Sequence, residues 1–216
     1  VEAIALATGS PLLTVDTVDG YGRATKAVWC AVGGRGVCQA SSVVTFSSDG
    51  SGNVETCSSY GLGAIVRRII SAGCKSICRG LGGTASNDGG TGLASALGVK
   101  FYRADGSVFV PCGATLHLIA DYDDSEAKTL LDGIDLVGLC DVDNPFTGEL
   151  GAARVFSPQK GADPAAMERL EREIIRLEEE TKLGVLQRKE AIKELENTKA
   201  EGFEKVFAAV GAGKRV

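Results

Sequence analysis

Apolar residues follow two rhythms along this chain. Met167, Leu170, Ile174 and Leu177 recur at spacings of three, four and three, the stripe of an amphipathic helix. Asp163 followed by Pro164 supplies its N-cap and a proline at the first helical position. Beyond Thr181-Lys182-Leu183-Gly184 that register is lost. A second helix carrying Ile192, Leu195, Phe203 and Val206 is expected to run to Gly211-Ala212-Gly213, giving a helical hairpin or one bent helix. Upstream, the short apolar runs Leu12 to Val15, Ala27 to Val32 and Val43 to Phe46 read as meandering strands between glycine and aspartate turns. Leu62, Ile65, Val66, Ile69 and Ile70 share one helical face, predicting a helix over Tyr60 to Ala72. A strand over Ser76 to Cys78 should follow, then a helix over Gly92 to Gly98. Next come a hairpin over Val99 to Val110 turning at Asp105-Gly106 and a strand over Ile134 to Val142. The pattern is mixed α/β with a helical C-terminal extension, divided at 1–162 and 163–216.

Charge sharpens that division. Between Glu168 and Lys205, 20 of 38 residues are charged, eleven acidic and nine basic, interspersed as a solvated helical surface requires. This 167–207 stretch is a candidate surface for a protein partner. The whole chain of 216 residues has a net charge of −5 and is 44% apolar. Such a balance offers no basic face to neutralise a phosphate backbone, so nucleic acid is not an expected partner. No apolar run approaches the roughly 20 residues of a membrane-spanning helix, so membrane insertion is not expected either. Seven cysteines, an odd number without a CxxC pair, signal neither a disulfide framework nor a zinc site. They read as small apolar fillers of an intracellular, reducing compartment, cytoplasm or organelle matrix. The first residue is Val and no charged-then-apolar leader follows, which reads as a fragment or a processed chain.

Candidate chemistry lies in three segments. Gly80 to Gly92 holds six glycines, with Thr84, Ser86 and Thr91 as hydroxyls and Asn87 and Asp88 beside them. Placed between a strand and a helix, it can hold an anion on backbone N–H groups, or it can be only a tight turn. It is not a Walker loop, since no Gly-Lys-Ser/Thr follows, and its spacing is not the dinucleotide fingerprint. Cys140-Asp141-Val142-Asp143-Asn144-Pro145 ends a strand, where ligands bind in open α/β sheets, or is an Asx turn before proline. Ser157-Pro158-Gln159-Lys160-Gly161 is a polar turn whose lysine can offset phosphate charge or simply be solvated.

Together these segments resemble the glycerate kinase family in its bacterial form. The family's GxGGSATNDGGxG loop is represented by Gly80 to Gly92, its acidic segment by Cys140 to Pro145 and its GPQKGA turn by Ser157 to Ala162. Ser59 to Gly63 and Gly73 to Lys75 are weaker echoes. The likeness covers about residues 1 to 180, the central portion of a family member. The DSFKGS, GAGAAGG and GEGxxDxQS segments that close the family's cleft are not present. It implies a glycerate kinase-like α/β domain that phosphorylates D-glycerate with ATP, with Mg as the accompanying ion. Gly82, Gly83, Thr84, Ser86 and Gly89 would then face phosphate or the glycerate carboxylate. Asn87, Asn144 and Gln159 would contact substrate, and Lys160 would offset phosphate charge. Asp88 and Asp141 are the candidate catalytic carboxylates, with the base and the metal-supporting group left open between them. Two residues depart from the pattern. Gln39 stands where the family carries an acid, and Arg79 occupies a normally apolar strand, where a buried cation needs a partner. These departures motivate two other readings: a catalytically inactive, kinase-derived structural subunit of a larger assembly, and an isolated phosphate- or glycerate-binding module.

Overall fold

The computed structural model describes residues 1–46 and 52–180. The predicted second helix of the extension, with Ile192, Leu195, Phe203 and Val206, lies outside them.

A five-stranded sheet organises the body in the order β1 (Leu13–Val18), β2 (Ala24–Val32), β3 (Arg35–Gln39), β4 (Ser76–Gly80), β8 (Asp135–Leu139). The first three strands form an antiparallel meander, whereas β3, β4 and β8 run parallel, with Gln39 opposite Gly80 and Gly80 opposite Leu139. Alternation divides side chains between two faces. Trp29, Cys38 and Ile77 meet α2 (Tyr60–Ser71) on one, packing with Leu62, Ile65 and Ile69. Cys30, Val37 and Cys78 on the other meet Ala5 of the short helix α1 (Glu2–Thr8). Helix α3 (Thr91–Ala96) lies along α2 so closely that a Cβ on Gly63 would sit 2.6 Å from Ala96 Cβ.

A second, three-stranded antiparallel sheet, β6 (Val108–Phe109), β5 (Lys100–Tyr102), β7 (Asp121–Asp123), contains the expected hairpin and buries Phe101. Helix α4 (Ser125–Leu131) leads from it into β8, and α5 (Ala152–Phe156) precedes a 3-10 turn over Pro158–Lys160. Helix α6 (Pro164–Glu180) opens as its cap predicts, the Asp163 carboxylate accepting the Ala166 N–H at 2.7 Å. Leu170 joins Val54 and Ala153, while Ile174 and Leu177 join Phe101 and Leu116. The apolar stripe of the extension is therefore covered by its own chain over these residues. Its outer face carries paired ions, Arg154 with Glu168 at 2.6 Å and Arg169 with Glu55 at 3.0 Å.

One expected strand is corrected. Val43 to Phe46 is irregular backbone after a 3-10 turn over Ala40–Ser42. Val43 and Val44 are both buried, so the run reflects complete burial rather than the alternation of a strand. The strand expected over Ile134 to Val142 is shorter, ending at Leu139.

Candidate functional site

The carboxyl ends of the three parallel strands bring separate segments to one edge. The ladder continues one step beyond β4, Leu81 N–H donating to Leu139 O at 3.0 Å. Gly82 and Gly83 follow, both exposed. A Cβ on Gly82 would lie 3.8 Å from Asp141 Oδ1, and one on Gly83 would lie 3.4 Å from Ser41 Cβ. Gly83 has φ +73°, a conformation that a β-branched residue adopts only under strain. Gln39, at the end of β3, donates from Nε2 to Ser41 Oγ at 2.7 Å. Ligands of open α/β sheets bind at such an edge.

Asp88 has a different setting. Its side chain is buried, with Oδ2 accepting from Ser59 N–H at 2.7 Å, Ser59 Oγ at 2.8 Å and Gly92 N–H at 3.3 Å. Oδ1 accepts from Gly90 N–H at 3.1 Å. The carboxylate thus ties the start of α3 to the residue preceding α2. Ser59 Oγ also accepts from Leu93 N–H at 2.9 Å. Sequence reading did not assign Ser59 a role, although a serine directly before a helical stripe marks the helix entrance, where orphan N–H groups gather.

Lys160 reaches the glycine loop from the turn before α6, its Nζ donating to Ser86 O at 2.6 Å. Burial pushes its pKa down, opposed by the negative charge of Asp88 nearby. Asn87 holds a buried Nδ2 without a partner, and Ala85 N–H bonds Val44 O at 2.9 Å. Gly89 is pressed against α6, since a Cβ there would stand 2.6 Å from Leu177 Cδ2. Thr84 and Ser86 line a cavity beneath the loop, bounded by α2, α3, α4 and β8. Asp141 is exposed, whereas Asn144 Nδ2 donates to Leu150 O at 2.9 Å within its own turn. Gln159 is exposed on the 3-10 turn. The loop after Asn144 is held by α6: Glu171 accepts from Gly148 N–H at 2.6 Å and Glu178 from Thr147 Oγ1 at 2.9 Å. The structure therefore gathers Gly82, Gly83 and Asp141 at the strand ends. It places Lys160, Asp88 and Asn87 on the buried flank of the loop, and leaves Asn144 and Gln159 in turns beside it.

A glycine loop between a parallel strand and a helix, flanked by a carboxylate at the next strand end, defines an α/β protein whose candidate site sits at the sheet's carboxyl edge. The family model described as the glycerate kinase family matches residues 1–212, and the chain belongs to that family. A glycerate kinase of Bacillus cereus is 45% identical over 111 residues, 51% of this chain and 29% of the relative. A glycerate 2-kinase of Escherichia coli is 38% identical over 113 residues, 52% of this chain and 30% of that protein. A solved structure described as a glycerate kinase 2 from Salmonella typhimurium superposes with a TM-score of 0.76 at 31% identity, over 82% of this chain and 48% of that one. The chain thus spans less than a third of these curated relatives and about half of the solved one. None of these matches supports the reading as an inactive structural subunit. Among the described residues no helix is long and apolar enough to cross a membrane.

Proposed function

We propose that this chain supplies the phosphate- and glycerate-binding cradle of an ATP-dependent phosphorylation of D-glycerate. The observation that carries the reading is the convergence of Gly82, Gly83 and Asp141 at the ends of adjacent parallel strands, with Lys160 fastened to the back of the same loop. Family membership supports it. Phosphoryl transfer is catalysed mainly by positioning and by neutralising charge on the moving group. Backbone N–H groups of Gly82, Gly83 and Thr84 are the donors offered to oxyanions.

The two aspartates divide the work. Asp88, with four donors on its oxygens, is a positioning residue that keeps the loop and two helix starts in register. Asp141, exposed beside Gly82, accepts the proton of the attacking hydroxyl. Magnesium, when bound, neutralises phosphate charge and needs only one or two carboxylates beside the phosphates. The exposed Asp143, two residues from Asp141, fits that demand. Lys160 offsets charge on the loop's inner side.

Amide NMR titration with D-glycerate and with inorganic phosphate tests the cradle. Shifts centred on Gly82 to Asn87, saturating in the millimolar range (about −4 kcal/mol) and abolished by Gly83→Val, are the expected result. Titration to high concentration with no shift in that segment refutes it.

A further inference from the structure

The cavity beneath the glycine loop has a composition that glycerate cannot use. Its volume is about 650 Å³, within the size range of small-molecule sites. Leu62, Leu93, Leu97, Leu131 and Leu136 form much of its wall, a surface suited to a hydrocarbon or ring and not to a three-carbon polyol acid.

Four charged residues line it: Arg79, Asp88, Asp124 and Lys128. Three are already matched. Asp88 is saturated by N–H and O–H donors, and Lys128 pairs with Asp124 at 2.8 Å, its 74% exposed side chain marking the mouth. Arg79 is the exception. It projects from β4 on the same face as Ile77 and Leu81, its Nε is buried without a hydrogen-bond partner, and no carboxylate pairs with its guanidinium among the described residues. Arg79 is half-buried with its Nε fully enclosed, and a guanidinium so placed is suited to a carboxylate or a similar planar or tetrahedral anion. The expectation that Arg79 needs a partner is thus unmet by the described protein groups, and the cavity it lines has a largely leucine wall.

The geometry points to a ligand site in this cavity for an amphipathic organic monoanion, its head group held by Arg79 and its apolar body by the leucine wall. A polyanion such as ATP would bring several charges to one unpaired cation, and D-glycerate has no apolar body. The site shares the glycine loop with the cradle, Thr84 and Ser86 lining it, and differs from it in taking its charge from Arg79 and its contact area from the leucine wall.

Octanoate is the probe, and octan-1-ol its uncharged counterpart. Calorimetry on the 216-residue chain is expected to show octanoate binding at least tenfold tighter than octan-1-ol, with a rise in Tm on saturation. Arg79→Met, which replaces the cation with an apolar chain, should erase the preference while leaving octan-1-ol binding in place. Arg79→Lys should keep part of it. Leu136→Trp, filling the cavity, should weaken both ligands, with circular dichroism checking that it folds; the Arg79→Met comparison decides the matter by itself. The proposal is overturned if neither probe binds, if the two bind equally, or if the preference survives Arg79→Met. It is equally overturned if ATP or D-glycerate displaces octanoate competitively, since the cavity would then belong to the kinase site. Failure of the amide titration at Gly82 to Asn87 would leave the cavity result standing.

Discussion

Asp88 shows how little a residue's type says of its surroundings. A carboxylate in a glycine loop reads as chemistry, and nothing local reveals that Ser59, 29 positions earlier, donates to it twice. The partner is brought in by tertiary structure, so these hydrogen bonds were not legible from the motif. Asp88→Asn keeps the shape but turns one acceptor into a donor facing donors. It should cost about 1–3 kcal/mol of stability, read as a lower urea midpoint; an unchanged midpoint refutes the knot. The cysteines were more legible, because an odd, unpatterned set of thiols in apolar contexts fits burial without pairing. All seven are free, with Cys112 and Cys140 half-buried and the rest buried. Burial pushes Cys38 up to about 12 and Cys57 up to about 11, which suppresses the reactive thiolate. A thiol reagent at pH 8 should therefore modify Cys112 and Cys140 rapidly and the other five only on denaturation. Rapid reaction at Cys38 or Cys57 would contradict the packing.

Helix α6 is the element whose sequence spoke most clearly, since its cap and its stripe are both local signals. What it packs against was not readable. Leu170 reaches Val54 and Ala153, and Leu177 reaches Gly89, because chain segments far apart in sequence converge there. Leu170→Ala removes a fully buried side chain and should cost about 2–5 kcal/mol, visible in chemical denaturation. A loss below 1 kcal/mol would mean that α6 is loosely docked. The misread stretch Val43 to Phe46 teaches the complementary point. A run of apolar residues reports burial, and strand pairing needs a neighbour with free hydrogen-bonding groups, which β3 already has on both sides in β2 and β4. Strand β3 itself, with two glycines just before it and only Val37 and Cys38 as apolar residues, carried too weak an alternation to be seen.

For the molecule as a whole, wholly or partly buried acids and one partly buried base set opposing pH responses. Tyr21 is pushed up to about 12, by burial first and by neighbouring Cys57 second. With Cys38 and Cys57 it keeps its proton in the fold at pH values where the unfolded chain gives it up. The unfolded chain then binds fewer protons than the native one, so stability falls as pH rises from about 9. Lys160, whose pKa is lowered by burial, works the other way, because its unfolded form holds the proton longer and stability gains as pH climbs toward its ordinary value. Three groups outweigh one, and the urea midpoint is expected to be lower at pH 10.5 than at pH 8. A flat or rising profile would show that these side chains are hydrated. The architecture follows the same division between near and far. Alternating strands and helices were readable as a mixed α/β fold, whereas the parallel order β3, β4, β8 was not, because it depends on which distant strands meet.

That parallel order also bears on how the protein comes into being. The strand ends that carry the candidate site lie at Gln39, Gly80 and Leu139, so pairing them closes two long stretches of chain before any contact rewards the lost entropy. The β1–β2–β3 meander needs only tight turns. Local hairpins form within microseconds, while non-local parallel pairing is slow. A refolding chain should hence acquire its meander first and its parallel edge last. In a cell, that leaves a window in which the strand edges are open to wrong partners although much of the secondary structure is already in place.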